Sequence, residues 1–147
     1  MEKRIIHIES SSEIEKILEI FTPCLKSLSS GEVNKRNFAQ KLSSFGNVFV
    51  ITDDTGCMFA FSAFYCNDII NKKAFLSLIA VKPEFTRMGL GNMMLDFVSE
   101  YVKKSGMTSL FLEVRKTNSS AVKFYKNQDF EFIDDESEYS YYMRKIL

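Results

Sequence analysis

The stretch "AVKPEFTRMGLGNMMLDFV", residues 80–98, places two glycines one residue apart at the start of a long apolar stripe. Beyond Gly89 and Gly91, apolar side chains recur at helical spacing, which predicts an amphipathic helix. The stripe consists of Leu90, Met93, Met94, Phe97, Val98, Tyr101 and Val102. Two lysines and then Gly106 follow it, as is typical of a helix end. Pro83 ends the strand before the glycines, so this stretch predicts a strand, a loop and a helix.

Strands and helices are also predicted on both sides of this stretch. Apolar runs bounded by turn residues indicate seven strands. They cover residues 4–9, 48–52, 57–66, 74–81, 110–114, 130–133 and 139–143. A further helix begins at an S-x-x-E capping box, at residues 10–13 or 12–15, and Pro23 disturbs its end. The remaining helices are predicted at residues 34–44 and 118–127, the latter capped by Asn118 or Ser119.

The resulting element order is β-α-α-β-β-β-α-β-α-β-β. This order is typical of a mixed α/β (α+β) protein with one central sheet. It lacks the regular βαβ alternation of a doubly wound fold. The chain has 147 residues and is expected to form a single domain over residues 1–147. A domain of this size can bury a core without disulfides or metals.

Charge and cysteine content exclude several functional classes. Lysine plus arginine and aspartate plus glutamate each number 19, so the basic surface of a nucleic-acid binder is not expected. No apolar run approaches the ~20 residues that span a membrane, and no signal peptide is evident. Cys24, Cys57 and Cys66 are widely spaced, and His7 alone cannot complete a zinc site. We therefore expect reduced thiols, no metal, no membrane association and a cytoplasmic location.

The glycine loop predicts a binding site for an anion. The first amides of a helix have no partner within it, and the helix dipole adds about half a positive charge there. Glycine lets an anion approach the backbone and permits a positive φ, and Arg87 adds a cationic side chain. The Walker A pattern and the G-x-G-x-x-G fingerprint are both absent. On these residues alone, a tight loop without a ligand is an equally good interpretation.

Two strings together resemble a known family. "VKPEFTRMGLGNMMLDFV" resembles the acetyl-CoA-binding motif of the GNAT superfamily of N-acetyltransferases. "LEVRKTNSSAVKFYKNQDF", residues 112–130, resembles the next motif of that family, in which a strand and an asparagine precede a helix with a central tyrosine. The resemblance implies the GNAT fold, with a mostly antiparallel sheet flanked by about four helices. It also implies transfer of an acetyl group from acetyl-CoA to a primary amine, by direct attack of the amine on the thioester.

The family pattern implies a role for individual positions of this sequence. The backbone of Ile79, Ala80 and Val81, at the end of the fourth strand, would pair with the pantetheine arm and hold the thioester carbonyl. Asn118 would bond the pantetheine near the sulfur, and Tyr125 would point its hydroxyl at the sulfur. The coenzyme diphosphate would be held by the amides of Arg87, Met88, Gly89, Leu90, Gly91 and Asn92.

The second string is most similar to bacterial enzymes that acetylate the N-terminal alanine of a ribosomal protein. In those enzymes a strand glutamate acts as general base and a helix tyrosine as general acid, with the spacing of Glu113 and Tyr125. With a pKa of about 10, a tyrosine can protonate a thiolate whose thiol pKa is about 8.5. Glu113 could accept the amine proton through a water. Structural alternatives exist for each: Tyr125 as a core aromatic side chain, Glu113 as a solvated side chain and Asn118 as only a helix cap.

Two positions depart from the family pattern. Thr86 stands where the family usually has glutamine or arginine, so phosphate binding is expected to rest on backbone amides. Asp129 stands where the family usually has glycine, and aspartate tolerates the left-handed backbone region.

The acceptor side is less defined, and a protein N-terminus or a small amine would fit. Carboxylates between the last two strands would attract a cationic amine or form only a solvated turn. They are Asp134, Asp135, Glu136 and Glu138. Tyr65 could reach the acceptor cleft, and residues 21–28 could cover it. A non-catalytic acyl-CoA-binding module and a nucleotide- or phosphate-binding domain are the rival functions, and the sequence is compatible with a monomer or a homodimer.

Overall fold

The computed structural model describes residues 2–133 and 137–147, and its strands form one sheet. The strands are β1 (Arg4–Ile8), β2 (Asn47–Thr52), β3 (Met58–Asp68), β4 (Lys73–Val81), β5 (Ser109–Arg115), β6 (Glu131–Phe132) and β7 (Ser140–Ile146). They lie in the order β1-β2-β3-β4-β5-β7-β6. β4 and β5 pair in parallel, and the other neighbours in the described sheet pair antiparallel. The predicted mixed, mostly antiparallel central sheet is confirmed.

Helices connect these strands on both faces of the sheet. They are α1 (Ser11–Phe21), α2 (Lys26–Ser29), α3 (Lys35–Phe45), α4 (Leu90–Lys104) and α5 (Ser119–Asn127), with 3-10 turns at Thr22–Cys24 and Pro83–Phe85. The one-turn helix α2 was not predicted, because four residues are too few to show a helical period. Pro23 lies in the first 3-10 turn and separates α1 from α2.

Side chains cap three of the helices. Ser10, Asn34 and Asn118 each accept a hydrogen bond from the amide three residues further on. The capping box at residues 10–13 is therefore the one that begins α1, and Asn118 rather than Ser119 caps α5. Helix α4 differs, because its N-cap is Gly89 and no side chain caps it.

The core has a layer on each face of the sheet. α1 and α3 pack on one face with Phe61 and Ala63 of β3, and α4 and α5 pack on the other face against a core drawn from β3, β4 and β5. α4 buries Leu90, Met94, Leu95, Val98 and Val102. Full burial of one such side chain stabilises the fold by about 1.5–3 kcal/mol. The predicted stripe contained Met93 instead of Leu95, but the buried face of α4 is centred on Met94 and Val98 and leaves Met93 exposed.

Several strand ends differ from those predicted. β3 runs to Asp68 and β4 begins at Lys73, so the turn between them is shorter than the predicted one. The Asp68 carboxylate accepts hydrogen bonds from the amide and the side chain of Asn71, which closes the turn tightly. β7 continues to Ile146, because it pairs with β5 as far as Ser109. β6 is only two residues long.

The acidic segment between β6 and β7 is described only in part. Asp134, Asp135 and Glu136 lie outside the described residues, and Glu138 is exposed. In the described parts of the chain, the helices are too short or too polar to cross a membrane.

Candidate active site

β4 and β5 separate part-way along their length. Their parallel pairing begins with Lys73 opposite Ser109 and stops with Leu76 opposite Leu112. Beyond this point β4 pairs only with β3 and β5 pairs only with β7 in the described sheet. The facing edges of the two strands are therefore open to a ligand over residues 77–81 and 113–115.

A β-bulge marks the point at which the strands separate. The partner of β3 shifts from Leu78 to Leu76 between two successive β3 residues, so Ser77 is an extra residue in β4. A bulge bends its strand and increases the local twist. The bend at Ser77 therefore helps to turn the end of β4 away from β5.

The backbone beyond the bulge presents polar groups to the gap. The Lys82 amide donates to the Phe59 carbonyl of β3 at 3.0 Å. Main-chain groups alternate between the two sides of an extended strand. Those of Ile79 and Val81 therefore turn toward the gap, whereas those of Ala80 turn toward β3.

The gap opens into a cavity of about 630 Å³. Six of the predicted site residues line it, from β4, β5 and α5. They are Ile79, Ala80, Val81, Glu113, Asn118 and Tyr125. Residues 24–27 form part of the opposite wall, within the segment 21–28 that was expected to cover the cleft.

The loop before α4 has the backbone conformation that glycine favours. Arg87 and Gly89 have φ values of 67° and 75°, and a Cβ on Gly89 would have no atom within 4 Å. The Thr86 hydroxyl donates to the Pro83 carbonyl at 3.0 Å and so stabilises the turn. Among the described residues, none accepts a hydrogen bond from the amides of residues 87–92. These amides form an uncapped row of donors at the positive end of the helix dipole.

Gly91 has a different role from Gly89. A Cβ on Gly91 would lie 3.3 Å from the Phe124 ring, so this glycine allows α4 and α5 to approach each other closely. The Asn92 side-chain oxygen accepts from Gln128 Nε2 at 2.7 Å and links the same two helices. The second glycine of the motif therefore allows α5, which carries Tyr125, to pack close to the start of α4.

Tyr125 lies on α5 with its side chain half-buried. Its ring centroid is 5.4 Å from that of Phe124 and 5.7 Å from that of Phe130. Burial raises the pKa of the Tyr125 hydroxyl to about 12. The hydroxyl therefore remains protonated at neutral pH and can donate a hydrogen bond. Complete transfer of its proton to a thiolate whose thiol pKa is about 8.5 would be uphill by about 5 kcal/mol. An ordinary tyrosine pKa of about 10, the value expected from the sequence, would make this transfer easier.

Glu113 and Asn118 both line the cavity, Glu113 near the end of β5 and Asn118 at the start of α5. Glu113 is exposed to solvent and lines the cavity. Asn118 Oδ1 accepts from the Ala121 amide and from the Ser120 hydroxyl, both at 3.2 Å. Its cap is thus made by Oδ1, which leaves Nδ2 as the atom that could serve a ligand.

Tyr65 does not line the large cavity. Tyr65 lies opposite Phe75, at the end of β4 where the strands are still paired, and it lines a second cavity instead. Lys41 Nζ lies 5.4 Å from the centroid of its ring. Asp129 has a φ of 70°, so the expected left-handed conformation at this position is confirmed.

Sequence reasoning missed the bulge at Ser77 and did not place Phe75 at the cavity. One signal for the bulge was present, because Ser77 is the only uncharged polar residue in the apolar run of β4. Both Ser77 and Phe75 line the cavity. Over residues 2–133 and 137–147, no three His, Cys, Asp or Glu side chains cluster as a metal site would require.

Comparison with known proteins identifies the class. The sequence model of the Acetyltransferase (GNAT) family matches residues 14–130. The ribosomal protein bS18-alanine N-acetyltransferase of Salmonella typhimurium is 36% identical over 69 residues, which are 47% of this chain and 47% of that protein. The chain thus spans about half the length of the curated relatives it matches.

Solved structures share the fold over nearly the whole chain. The PaiA N-acetyltransferase from Thermoplasma acidophilum, in complex with coenzyme A, has a TM-score of 0.78 and 22% identity, with 100% of both chains covered. The ribosomal-protein-S18-alanine N-acetyltransferase from Escherichia coli has a TM-score of 0.79 and 23% identity, with 99% of this chain and 94% of that chain covered. These likenesses show the GNAT fold. Because the family model matches most of the chain, this protein belongs to the GNAT family of acetyltransferases, which confirms the resemblance of the two motifs.

Proposed function

We propose that this protein is an acetyl-CoA-dependent N-acetyltransferase that transfers an acetyl group to a primary amine. The observation that carries the proposal is the gap between β4 and β5, which joins open strand edges, Glu113 and Tyr125 in one cavity. The residues fit the coenzyme. The uncapped amides of residues 87–92 can bind a diphosphate, and the backbone N–H and C=O groups of Ile79 and Val81 that face the gap can hydrogen-bond the amides of the pantetheine arm.

Each part of the coenzyme has proposed protein partners. The amides of residues 87–92 hold the diphosphate, and the exposed Arg87 side chain adds positive charge near it. Ile79 and Val81 hydrogen-bond the pantetheine arm as a further strand would, and Asn118 Nδ2 supports the arm from the other side. The coenzyme itself supplies an activated acetyl thioester.

The side chains around the acetyl end manage charge and protons. A backbone N–H at the end of β4 donates to the thioester carbonyl oxygen, which gains negative charge as the amine attacks. The Tyr125 hydroxyl donates a hydrogen bond to the departing sulfur and stabilises its charge. Since the pKa of Tyr125 is about 12, we assign it a hydrogen bond that stabilises the departing thiolate, which then takes its proton from solvent. Glu113 accepts the amine proton through a water, and its exposure gives that proton a route to solvent.

The acceptor is a protein N-terminus or a small amine. The name of the Salmonella typhimurium relative makes an N-terminal alanine one acceptor to test. The experiment is to follow release of free CoA thiol from acetyl-CoA with amines and N-terminal peptides. We expect turnover that requires both substrates. Binding of acetyl-CoA without turnover of any amine would instead support the non-catalytic acyl-CoA-binding module, and competition by ATP as strong as by CoA would support the nucleotide-binding alternative.

A further inference from the structure

A second cavity of about 220 Å³ lies at the paired end of β4 and β5. It is lined by three aromatic side chains, Tyr65, Phe75 and Phe111, and by one residue of each charge, Asp68 and Lys73. Phe75 also lines the large cavity described above. The two cavities are therefore neighbours along one face of the sheet, with Phe75 between them.

The floor between the cavities is formed by adjacent strands. Phe75 lies directly opposite Phe111, so their side chains stand on the same face of the sheet. Glu113 is two residues from Phe111 on β5, and alternation places it on that face too. The face thus presents, in order, the carboxylate of Glu113, an aromatic floor and the second cavity.

Apolar side chains are exposed on this floor and beside it. Phe75 is 39% exposed, and the turn beside the second cavity carries Ile69 and Ile70, which are 73% and 89% exposed. Contiguous exposed apolar residues mark interaction sites. A small amine bound at Glu113 would leave this surface uncovered, whereas a longer acceptor would cover it.

The spacing suits an extended peptide. Two residues of β5 separate Glu113 from Phe111, a distance of about 7 Å. An extended peptide advances by about 3.3–3.6 Å per residue. A chain whose N-terminal amine lies near Glu113 would therefore bring its third or fourth residue to the second cavity.

We propose that the acceptor is a polypeptide N-terminus, and that the second cavity binds the apolar side chain of its third or fourth residue. This inference rests on the proposed acetyltransferase function. Aromatic walls favour an apolar or aromatic side chain, and the ammonium groups of Lys73 and Lys41 already lie over the Phe111 and Tyr65 rings. Phe75 and Phe111 are specificity residues, because they contact the acceptor away from the reacting atoms.

The test compares acceptors of different length and sequence by release of CoA thiol. The acceptors are X-Gly-amide, X-Gly-Phe-Phe-Gly-Gly-amide and X-Gly-Asp-Asp-Gly-Gly-amide, with alanine, serine or methionine as X. We expect kcat/KM for the phenylalanine hexapeptide to exceed that for the dipeptide by about tenfold or more. The aspartate hexapeptide should show no such gain.

Protein variants locate the effect. Phe111→Ala should reduce the advantage of the phenylalanine hexapeptide to within about twofold. Phe132→Ala is the matched control, because Phe132 is 43% exposed and packs against Tyr141 and Lys126 beside α5. It should keep the full advantage. An acetyl-CoA-induced rise in Tm shows that each variant is folded, and if Phe111→Ala does not fold, the peptide comparison decides alone.

The outcomes separate this inference from the function on which it rests. Equal kcat/KM for the dipeptide and both hexapeptides, or turnover of small amines only, would overturn the peptide groove and leave the acetyltransferase proposal intact. No turnover of any amine, with acetyl-CoA still bound, would overturn both. A hexapeptide advantage that survives Phe111→Ala in a folded variant would place the subsite elsewhere.

Discussion

The helices α3 and α4 differ in how the unpaired amides at their N-termini are satisfied. Asn34 caps α3, and its side chain accepts from the Asn37 amide at 3.0 Å. Gly89 begins α4 and offers no side chain, so the amides before and within its first turn have no partner among the described residues. A glycine N-cap in place of an asparagine costs a helix only about a few tenths of a kcal/mol, so leaving these amides without a side-chain partner is cheap for the fold. The difference indicates that the start of α4 is kept open for an anionic ligand, whereas the start of α3 serves only the fold.

Substitution of Gly89 should have the largest effect on this comparison. Gly89→Glu places a carboxylate beside the amides that would hold the diphosphate, so we expect acetyl-CoA affinity to fall by about 100-fold or more. Isothermal titration calorimetry would measure it. Gly89→Ala is the matched control, because it brings the same φ strain without the charge. It should cost about 1–2 kcal/mol of stability but keep most of the affinity, and equal affinity of the two variants would exclude this loop.

Tyr125→Phe should affect turnover rather than binding. The amides at the start of α4 are proposed to bind the coenzyme, whereas the Tyr125 hydroxyl on α5 is proposed to stabilise the departing sulfur. Removal of this hydroxyl should therefore lower kcat by about 100-fold. The Kd for acetyl-CoA should change by less than about threefold, because the ring stays in place. Tyr101→Phe removes a hydroxyl that bonds Asn47 on another part of the sheet and should leave kcat unchanged. A Tyr125→Phe enzyme as fast as the wild type would remove the proposed role of the hydroxyl at the sulfur.

Much of the fold and part of the site follow from local sequence. The α4 stripe, Pro83 and the two glycines predict a strand, loop and helix, and the structure has all three. The gap between β4 and β5 could not be predicted in this way, because it depends on where long-range pairing stops, at Leu76 and Leu112. The role of Gly91 could not be predicted in this way either. A Cβ at this position would lie too close to the Phe124 ring, which is distant in sequence. The cavity that Tyr65 lines could not be predicted either, because a strand pattern does not show which end of the sheet a residue occupies.

The two asparagine caps offer a smaller and more selective test. Asn34→Ala and Asn118→Ala each remove one cap and should each lower the free energy of unfolding by about 1 kcal/mol. Only Asn118→Ala should also weaken acetyl-CoA binding, by a few fold, because Asn118 lines the cavity and Asn34 does not. Urea unfolding and calorimetry on both variants would show this. Equal ligand affinity would leave Asn118 as a helix cap alone.

Alkaline pH should produce the smallest effect, through the burial of Tyr125. Its pKa of about 12 in the folded protein exceeds the ordinary value of about 10. The stabilisation from the neutral phenol is therefore complete below pH ~10 and is lost as the pH rises toward ~12, by about 1 kcal/mol at pH ~11. Urea unfolding of the wild type and Tyr125→Phe between about pH 9 and 11 should show this difference. Tyr139→Phe, at an exposed tyrosine, should run parallel to the wild type.

The most direct test of the open helix terminus is to observe its amides. In a backbone-assigned ¹H–¹⁵N NMR spectrum, acetyl-CoA should shift the amides of residues 87–92 strongly, together with those of Ile79 and Val81. The capped amides of Glu13 and Asn37, at the starts of α1 and α3, should not move. Unchanged amides at residues 87–92 in the saturated complex would contradict the account, whatever the activity of the protein.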